Sequence, residues 1–179
     1  MNEDKIYNKE KIEFLKWQLG YVVDQIRMAD NKINFLLAIY LAVLGLAISQ
    51  IEKVINVFLN VCACWKIVIG IICFLFLCCI VKFFCYFINT IKPRTESKDT
   101  LGEKDYKSLI FWKDVASMKF ENFKNTKLEE LYNDMKSQVF INCSIAKAKF
   151  KNVNSAYNLL LPTLIIFMIL FILTCSIGG

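Results

Sequence analysis

Three long apolar runs, each bounded by polar or charged sequence, dominate the pattern of this 179-residue chain. They cover residues 33–51, 60–88 and 156–177, and the charged residues inside them are limited to Lys66 and Lys82. A helix needs roughly 20 apolar residues to cross a hydrocarbon core about 30 Å thick. Both lysines lie where their side chains can extend to opposite interfaces. The pattern therefore predicts an all-α integral membrane protein with three transmembrane helices over these ranges.

The N-terminal flank, residues 1–32, is predicted to be a cytoplasmic amphipathic helix that continues into the first span. Apolar residues recur at alternating spacings of 3 and 4, as in a coiled-coil seam. No proline interrupts the segment, and Gly20 is its one weak helix former. We expect a single helix over about Asn8–Ile51. The seam consists of Ile12, Leu15, Leu19, Val22, Ile26, Ala29, Ile33 and Leu36.

The flank of the third span has the same design. The sequence Thr126-Lys-Leu-Glu129 is typical of a capping box, so a helix is expected to begin there and to run into the span. Because such extensions are stabilised mainly by packing, their apolar faces need partners. We therefore predict that the first and third transmembrane helices extend into a cytoplasmic helical bundle. The seam of the third helix consists of Leu128, Leu131, Met135, Gln138, Asn142, Ile145 and Lys149.

A cytoplasmic helical module is predicted over residues 89–155, between the second and third spans. Its first part, residues 90–108, is polar, contains Pro93 and Gly102, and is typical of a loop. Residues 109–123 are rich in aromatic side chains yet too polar to span a bilayer. We expect one or two short elements there, packed onto the helical extensions.

Positive charge is distributed unevenly along the chain. Six of the 22 Lys and Arg lie in residues 1–32 and fourteen in residues 82–151, whereas the first hairpin loop holds only two. The positive-inside rule therefore predicts a multi-pass membrane protein with a cytoplasmic N-terminus and a C-terminus outside. Acidic residues are interspersed with these cations, so a concentrated basic face for nucleic acid is not expected. The predicted partner is the lipid bilayer.

The composition argues against catalysis. The chain has no histidine and only six glycines, and it lacks P-loop, G-x-S-x-G and H-E-x-x-H patterns. Seven of the eight cysteines lie in or beside spans, where cysteine behaves as a small apolar residue. We therefore expect neither an enzyme nor a metal site, and no cofactor.

A cluster of hydrogen-bonding side chains precedes the first span: Arg27, Asp30, Asn31 and Lys32. One interpretation is an interfacial collar, in which the cations reach lipid phosphates and Asp30 forms a local ion pair. The other is a functional site within the bundle, because Asp30 lies beside the seam and would need a partner if it turned inward. The sequence leaves both open.

A second polar group lies at matching depth on the third helix: Asn142, Ser144, Lys147, Lys149 and Lys151. If it faces the first helix, the two groups could form a cation-rich pocket for an anionic small molecule. Binding of a nucleotide is favoured by cationic donors that contact its phosphate and by an aromatic ring that stacks on its base. Trp112 is one candidate for the ring. A solvated basic face is the alternative interpretation.

Three stretches together resemble the transmembrane effector family of bacterial Pycsar antiphage defence. They are "RMADNKINFLLAIYLAVLGL", "FWKDVASMKFENF" and "QVFINCSIAKAKFKNVNSAYNLLL". The family's Ala-Asp-x-Lys block is matched by Ala29, Asp30 and Lys32. Its second block is matched by Ser144, Ile145, Lys149 and Phe150, with Phe150 where tyrosine is usual.

The resemblance implies a membrane effector without an enzymatic domain. Such effectors are paired with a cyclase that makes cyclic CMP or cyclic UMP on infection, and they impair the inner membrane and arrest or kill the cell. By this resemblance Arg27, Asp30 and Lys32 would form the coupling joint between the cytoplasmic module and the bilayer. The resemblance supplies no binding pocket residue by residue, and the seams favour a homo-oligomer. The alternatives are a non-toxic structural or regulatory membrane subunit and a holin-like pore former.

Overall fold

The computed structural model describes residues 3–92 and 107–177, and all regular structure within them is helical. Three helices are long and apolar enough to cross a membrane. This confirms the predicted all-α membrane protein with three spans. The helices of the described residues are α1 (Glu3–Ser49), α2 (Ile51–Asn60), α3 (Ala63–Ile91), α4 (Trp112–Ala116), α5 (Phe120–Lys124) and α6 (Leu128–Ile177).

Helices α1 and α6 are each far longer than a bilayer requires. They contain 47 and 50 residues, respectively. At a rise of ~1.5 Å per residue, these helices are roughly 70 Å and roughly 75 Å long. Pro162 lies inside α6 without ending it. Both helices therefore extend past the membrane-spanning run, as the continuous 3-4 spacing predicts.

Helix α1 ends two residues earlier than the apolar run that defines the first span. The Ser49 hydroxyl donates to the carbonyl of Leu46 (2.8 Å), and Gln50 leaves helical geometry with φ −98° and ψ 1°. The chain then forms α2, which the sequence analysis took as part of a hairpin loop. A two-residue extended segment, Val61–Cys62, separates α2 from α3.

The connector before α6 contains two short helices, α4 and α5, within the aromatic segment where short elements were expected. The capping box predicted at Thr126 and Glu129 does not form, because the Thr126 hydroxyl donates a hydrogen bond instead of accepting one from the start of α6. The Thr126 hydroxyl donates to the carbonyl of Asn122, and the backbone N–H of Lys127 donates to the carboxylate of Glu130 (both 3.3 Å). The acid that reaches back is therefore Glu130 rather than Glu129, and α6 begins at Leu128.

The chain divides into two units. The extramembrane unit comprises Met1–Ala29 and Pro93–Lys149, and the membrane unit comprises Asp30–Lys92 and Phe150–Gly179. In the extramembrane unit, Leu15 of α1 packs with Met135 and Val139 of α6, with Leu19 and Leu131 partly buried against them. The predicted seam is confirmed at Leu15, Leu19, Leu131 and Met135, whereas Leu128, also assigned to it, is exposed.

One buried layer of the membrane unit joins its three long helices. Tyr40 of α1 stacks on Phe83 of α3, with ring centroids 3.7 Å apart and planes 11° apart. The Tyr40 hydroxyl lies 3.3 Å from the Thr163 hydroxyl of α6, and all three side chains are buried. Because Thr163 already donates to the carbonyl of Leu159 (2.7 Å), Tyr40 is the donor of the interhelical bond.

Candidate functional site

The first polar feature of the extramembrane unit is a clamp on the segment before α4. Asp134 of α6 is only 5% exposed, and its Oδ2 accepts from the Ser108 hydroxyl (3.0 Å) and from the N–H of Leu109 (2.9 Å). The Ser108 oxygen in turn accepts from the N–H groups of Ile110 (3.1 Å) and Phe111 (2.9 Å). A single carboxylate thereby orders the backbone that leads into α4.

The clamp is completed from the other side by Asp114, whose Oδ2 accepts from the N–H of Ser108 (3.0 Å). Neither acid was among the predicted site residues. The position of Asp134, directly before the seam residue Met135, does indicate a partner, because an acid without one on a buried face would be costly. Its partner could not be read from spacing, since Ser108 lies 26 residues away.

Most of the predicted ligand residues of the extramembrane unit lie on exposed faces. Arg27 is exposed and pairs with Asp24, one turn earlier on α1 (Nη1–Oδ1 3.4 Å). Ser144 and Lys147 are exposed on α6, and Trp112 is 71% exposed at the start of α4. These side chains are accessible to a solute, and the cations carry donors suited to a phosphate.

Two members of the second polar group are less accessible. The Asn142 side-chain amide donates to the carbonyl of Gln138 in its own helix (2.8 Å). Lys149 is only 8% exposed, which is unusual for a lysine, because a buried ammonium needs compensating interactions. Asn142 and Lys149 are therefore placed more like structural residues than like first contacts for a ligand.

An aromatic ladder runs along the exposed side of α1. Phe14, Trp17 and Tyr21 are spaced by 3 and 4 residues, and neighbouring ring centroids lie 5.8 Å and 5.7 Å apart. The Trp17 and Tyr21 planes differ by only 18°. All three side chains are exposed although they lie outside the membrane unit. Such a row of apolar surface is typical of an interaction face.

The membrane unit consists of two segments, and residues at the start of each segment lie close together. They belong to the two sequence blocks that match the Pycsar effector family. The Lys32 ammonium of α1 lies 5.4 Å from the centroid of the Phe150 ring of α6, within the range of a cation–π interaction. Asp30 is half-buried, and Asn31 is exposed beside Lys32. Lys32 and Phe150 were predicted as separate candidates, and the two side chains lie in contact.

A groove of about 470 Å³ lies next to this pair, between α1 and α6, and we call it the interfacial groove. On α1 the polar residues of the lining precede the apolar ones, and on α6 Asn154 follows the buried Val153 and precedes the larger apolar surface. The groove is lined by Asn31, Lys32, Phe35, Leu36, Ile39, Val153, Asn154, Tyr157 and Leu160.

A second cavity of the membrane unit, about 310 Å³, lies where α1 ends and α2 begins. Its lining is apolar apart from Gln50 and Thr174. The Thr174 hydroxyl donates to the carbonyl of Phe171 (2.9 Å). The Gln50 Oε1 atom is buried and has no hydrogen-bond partner among the described residues.

The cysteines do not form a metal centre within residues 3–92 and 107–177, because no group of three or more metal-ligating side chains occurs there. All eight are free thiols. Cys143 is exposed on α6 in the extramembrane unit, and Cys62 and Cys64 are exposed at the junction of α2 and α3.

Comparison with known proteins identifies one matching family. A family model described as the Pycsar effector protein domain matches residues 14–175. The Pycsar effector protein GmPycTM of Gulbenkiania mobilis is 37% identical over 67 residues, which cover 35% of this chain. The match spans about a third of the length of that relative (34%). No solved structure matches the chain.

Proposed function

We propose a function from the premise that this chain belongs to the Pycsar effector protein family, whose model covers residues 14–175. Membership supports an antiphage defence effector rather than an enzyme. We infer that the extramembrane unit senses cyclic CMP or cyclic UMP made by a partner cyclase. Binding then causes the membrane unit to impair the inner membrane, so that the infected cell stops growing or dies.

The observation that carries the proposal is the continuity of α1 and α6. Each helix has one part in the extramembrane unit and one in the membrane unit, and neither is interrupted at the boundary residues Ala29–Asp30 and Lys149–Phe150. A change in packing around Leu15 and Met135 therefore acts on the same two helices that carry the Tyr40–Thr163 layer. A binding event outside the bilayer needs such a shared element to alter the structure within it.

The ligand candidates fall into two groups by accessibility. Exposed Arg27 and Lys147 would bind the phosphate, Ser144 would add a hydroxyl, and Trp112 would stack on the base. Asp30, Asn31, Lys32 and Phe150 would instead couple the two units, because they lie at the edge of the membrane unit. Asn142 and Lys149 would support the packing of α6.

We also propose an orientation and an assembly state. The N-terminus and the extramembrane unit would face the cytoplasm, with the C-terminus outside, because the cations concentrate on these segments. The aromatic ladder of Phe14, Trp17 and Tyr21 supports a homo-oligomer. The ladder of a second copy would have the same 3-4 spacing, so the two α1 helices could pack side by side and bury their rings against each other.

The test is membrane potential in proteoliposomes that contain the full-length protein. We expect a potential-sensitive dye to report depolarisation only when cyclic CMP or cyclic UMP is present. Depolarisation regardless of nucleotide would favour a holin-like pore former, and intact vesicles in every condition would favour a non-toxic membrane subunit. Either result contradicts the proposed effector.

The coupling role of Asp30 is tested in the same assay. Asp30→Ala should abolish nucleotide-dependent depolarisation while nucleotide binding, measured by calorimetry, is retained. Glu13→Ala is the matched control, because it removes the same charge from an exposed site earlier on α1. A variant at Asp30 that depolarises vesicles like the unaltered protein would contradict the coupling role.

A further inference from the structure

The interfacial groove changes from polar to apolar along its length. Lys32 and Ile39 of α1 both line it and are seven residues apart. Seven residues of helix correspond to roughly 10 Å. On α6, Asn154 and Leu160 are separated by a similar distance and in the same order along the chain. Val153 also lines the groove on α6 but is only 4% exposed, so Lys32, Asn31 and Asn154 supply the polar surface at one end and Ile39 and Leu160 the apolar surface at the other.

The polar part is built to receive an anion. Lys32 supplies a cation, Asn31 and Asn154 supply amide donors, and no Asp or Glu is among the described residues that line the groove. Phe150 helps to position the ammonium, since the Lys32 Nζ atom lies 5.4 Å from its ring centroid. An anion placed here would make charge-assisted hydrogen bonds, which are stronger than those between neutral groups.

The apolar part is built to receive a hydrocarbon chain. Phe35 is 68% exposed on a helix long and apolar enough to cross a membrane. Ile39 and Leu160 continue the same surface. A small soluble anion would leave this surface unused, whereas an amphipathic anion fills both parts. The lining changes over roughly 10 Å, which is comparable with the ~5–10 Å by which amphipathic elements enter the boundary between headgroups and acyl chains.

We propose that the interfacial groove binds one anionic phospholipid. Its phosphate contacts Lys32, Asn31 and Asn154, and one acyl chain lies along Phe35, Ile39 and Leu160. The site is a second binding site, distinct from the proposed nucleotide site of the extramembrane unit, and it shares Asn31 and Lys32 with the proposed coupling residues. It would make the packing of α1 against α6 sensitive to the lipid composition of the membrane.

The experiment uses full-length protein reconstituted in vesicles of equimolar phosphatidylglycerol and phosphatidylcholine. After mild detergent extraction, native mass spectrometry gives the ratio of the two lipids bound to the protein. We expect phosphatidylglycerol to be enriched, and Lys32→Gln to lower the enrichment about tenfold, the loss expected for one charge-assisted hydrogen bond. Higher salt should lower the enrichment as well, because the site is partly exposed.

Two further variants separate the groove from the rest of the surface. Lys82→Gln removes an equivalent exposed charge from α3, outside the groove lining, and should leave the enrichment unchanged. Leu160→Trp fills the apolar part and should lower retention of both lipids. Circular dichroism and gel filtration establish that each variant keeps its helicity and size.

Several outcomes would overturn the proposal. Equal enrichment in Lys32→Gln and in the unaltered protein would exclude the groove as the anion site. An equal loss in Lys82→Gln and Lys32→Gln would indicate diffuse electrostatic attraction instead. Displacement of phosphatidylglycerol by cyclic CMP in a Lys32-dependent manner would assign the groove to the nucleotide.

Discussion

Replacing Asp134 by alanine should release the segment before α4 from α6. The carboxylate accepts from the Ser108 hydroxyl and from the N–H of Leu109, and the same hydroxyl oxygen orders the N–H groups of Ile110 and Phe111. Removing one side chain therefore leaves the Leu109 N–H without its acceptor and removes the partner that fixes Ser108. The effect should be local, because α4 and α5 contain no buried residue.

The magnitude follows from the number and kind of bonds. A hydrogen bond to a charged group contributes about 1.5–3 kcal/mol, and two such bonds that share one acceptor are not fully additive. A loss of roughly 3 kcal/mol in the free energy of opening corresponds to about a hundredfold increase in the open population. Asp134→Asn should give a smaller change, because its amide oxygen still accepts hydrogen bonds but carries no charge.

Amide hydrogen exchange of the full-length protein in detergent measures this opening directly. We expect exchange at Leu109, Ile110 and Phe111 to accelerate about a hundredfold in Asp134→Ala. Asp24→Ala, which removes an exposed acid of the same unit, should leave these amides unchanged. Unchanged exchange in Asp134→Ala would refute the clamp, and an equal acceleration around Met135 would show a global loss of stability instead.

Three further substitutions test the packing of single residues, each by thermal unfolding in detergent. In Tyr40→Phe, Thr163 keeps its bond to Leu159. Stability should therefore fall by only about 1 kcal/mol, the usual net contribution of one hydrogen bond; a much larger loss would contradict this assignment. Gln50→Leu removes a buried acceptor that has no partner among the described residues. It should raise stability by roughly 2 kcal/mol; a lower unfolding temperature would show that the acceptor is in use. At Gly20, no atom lies within 4 Å of an added Cβ. Gly20→Ala should raise stability by about 1 kcal/mol; destabilisation would indicate a contact at that position.

The long helices could be predicted because their signals are local. The 3-4 spacing that assigns Leu15, Leu19 and Met135 to a buried face depends only on helical geometry, and these residues form the core of the extramembrane unit. The spans followed from length and hydropathy alone. The prediction was wrong for Leu128. This residue is the first of α6, so no preceding turn of the helix covers its side chain.

The rest depended on contacts between distant parts of the chain. The Asp134–Ser108 bond joins residues 26 apart, and the Tyr40–Thr163 bond joins residues 123 apart. No periodicity encodes either pairing. The start of α2 at Ile51 was not predicted, because the apolar run at the end of the first span reaches Ile51. No glycine or proline marks the interruption of the helix at Gln50. The predicted ligand residues were found by charge and composition, and their roles stay predictions.

The distribution of free thiols gives the chain built-in chemical reporters of topology. Cys143 is the one cysteine of the extramembrane unit, whereas Cys62 and Cys64 lie at the α2–α3 junction. A maleimide that cannot cross lipid reacts only with thiols on the side where it is added. In intact cells, labelling of Cys62 or Cys64 with protection of Cys143 would establish the proposed orientation, without any engineered tag or added residue.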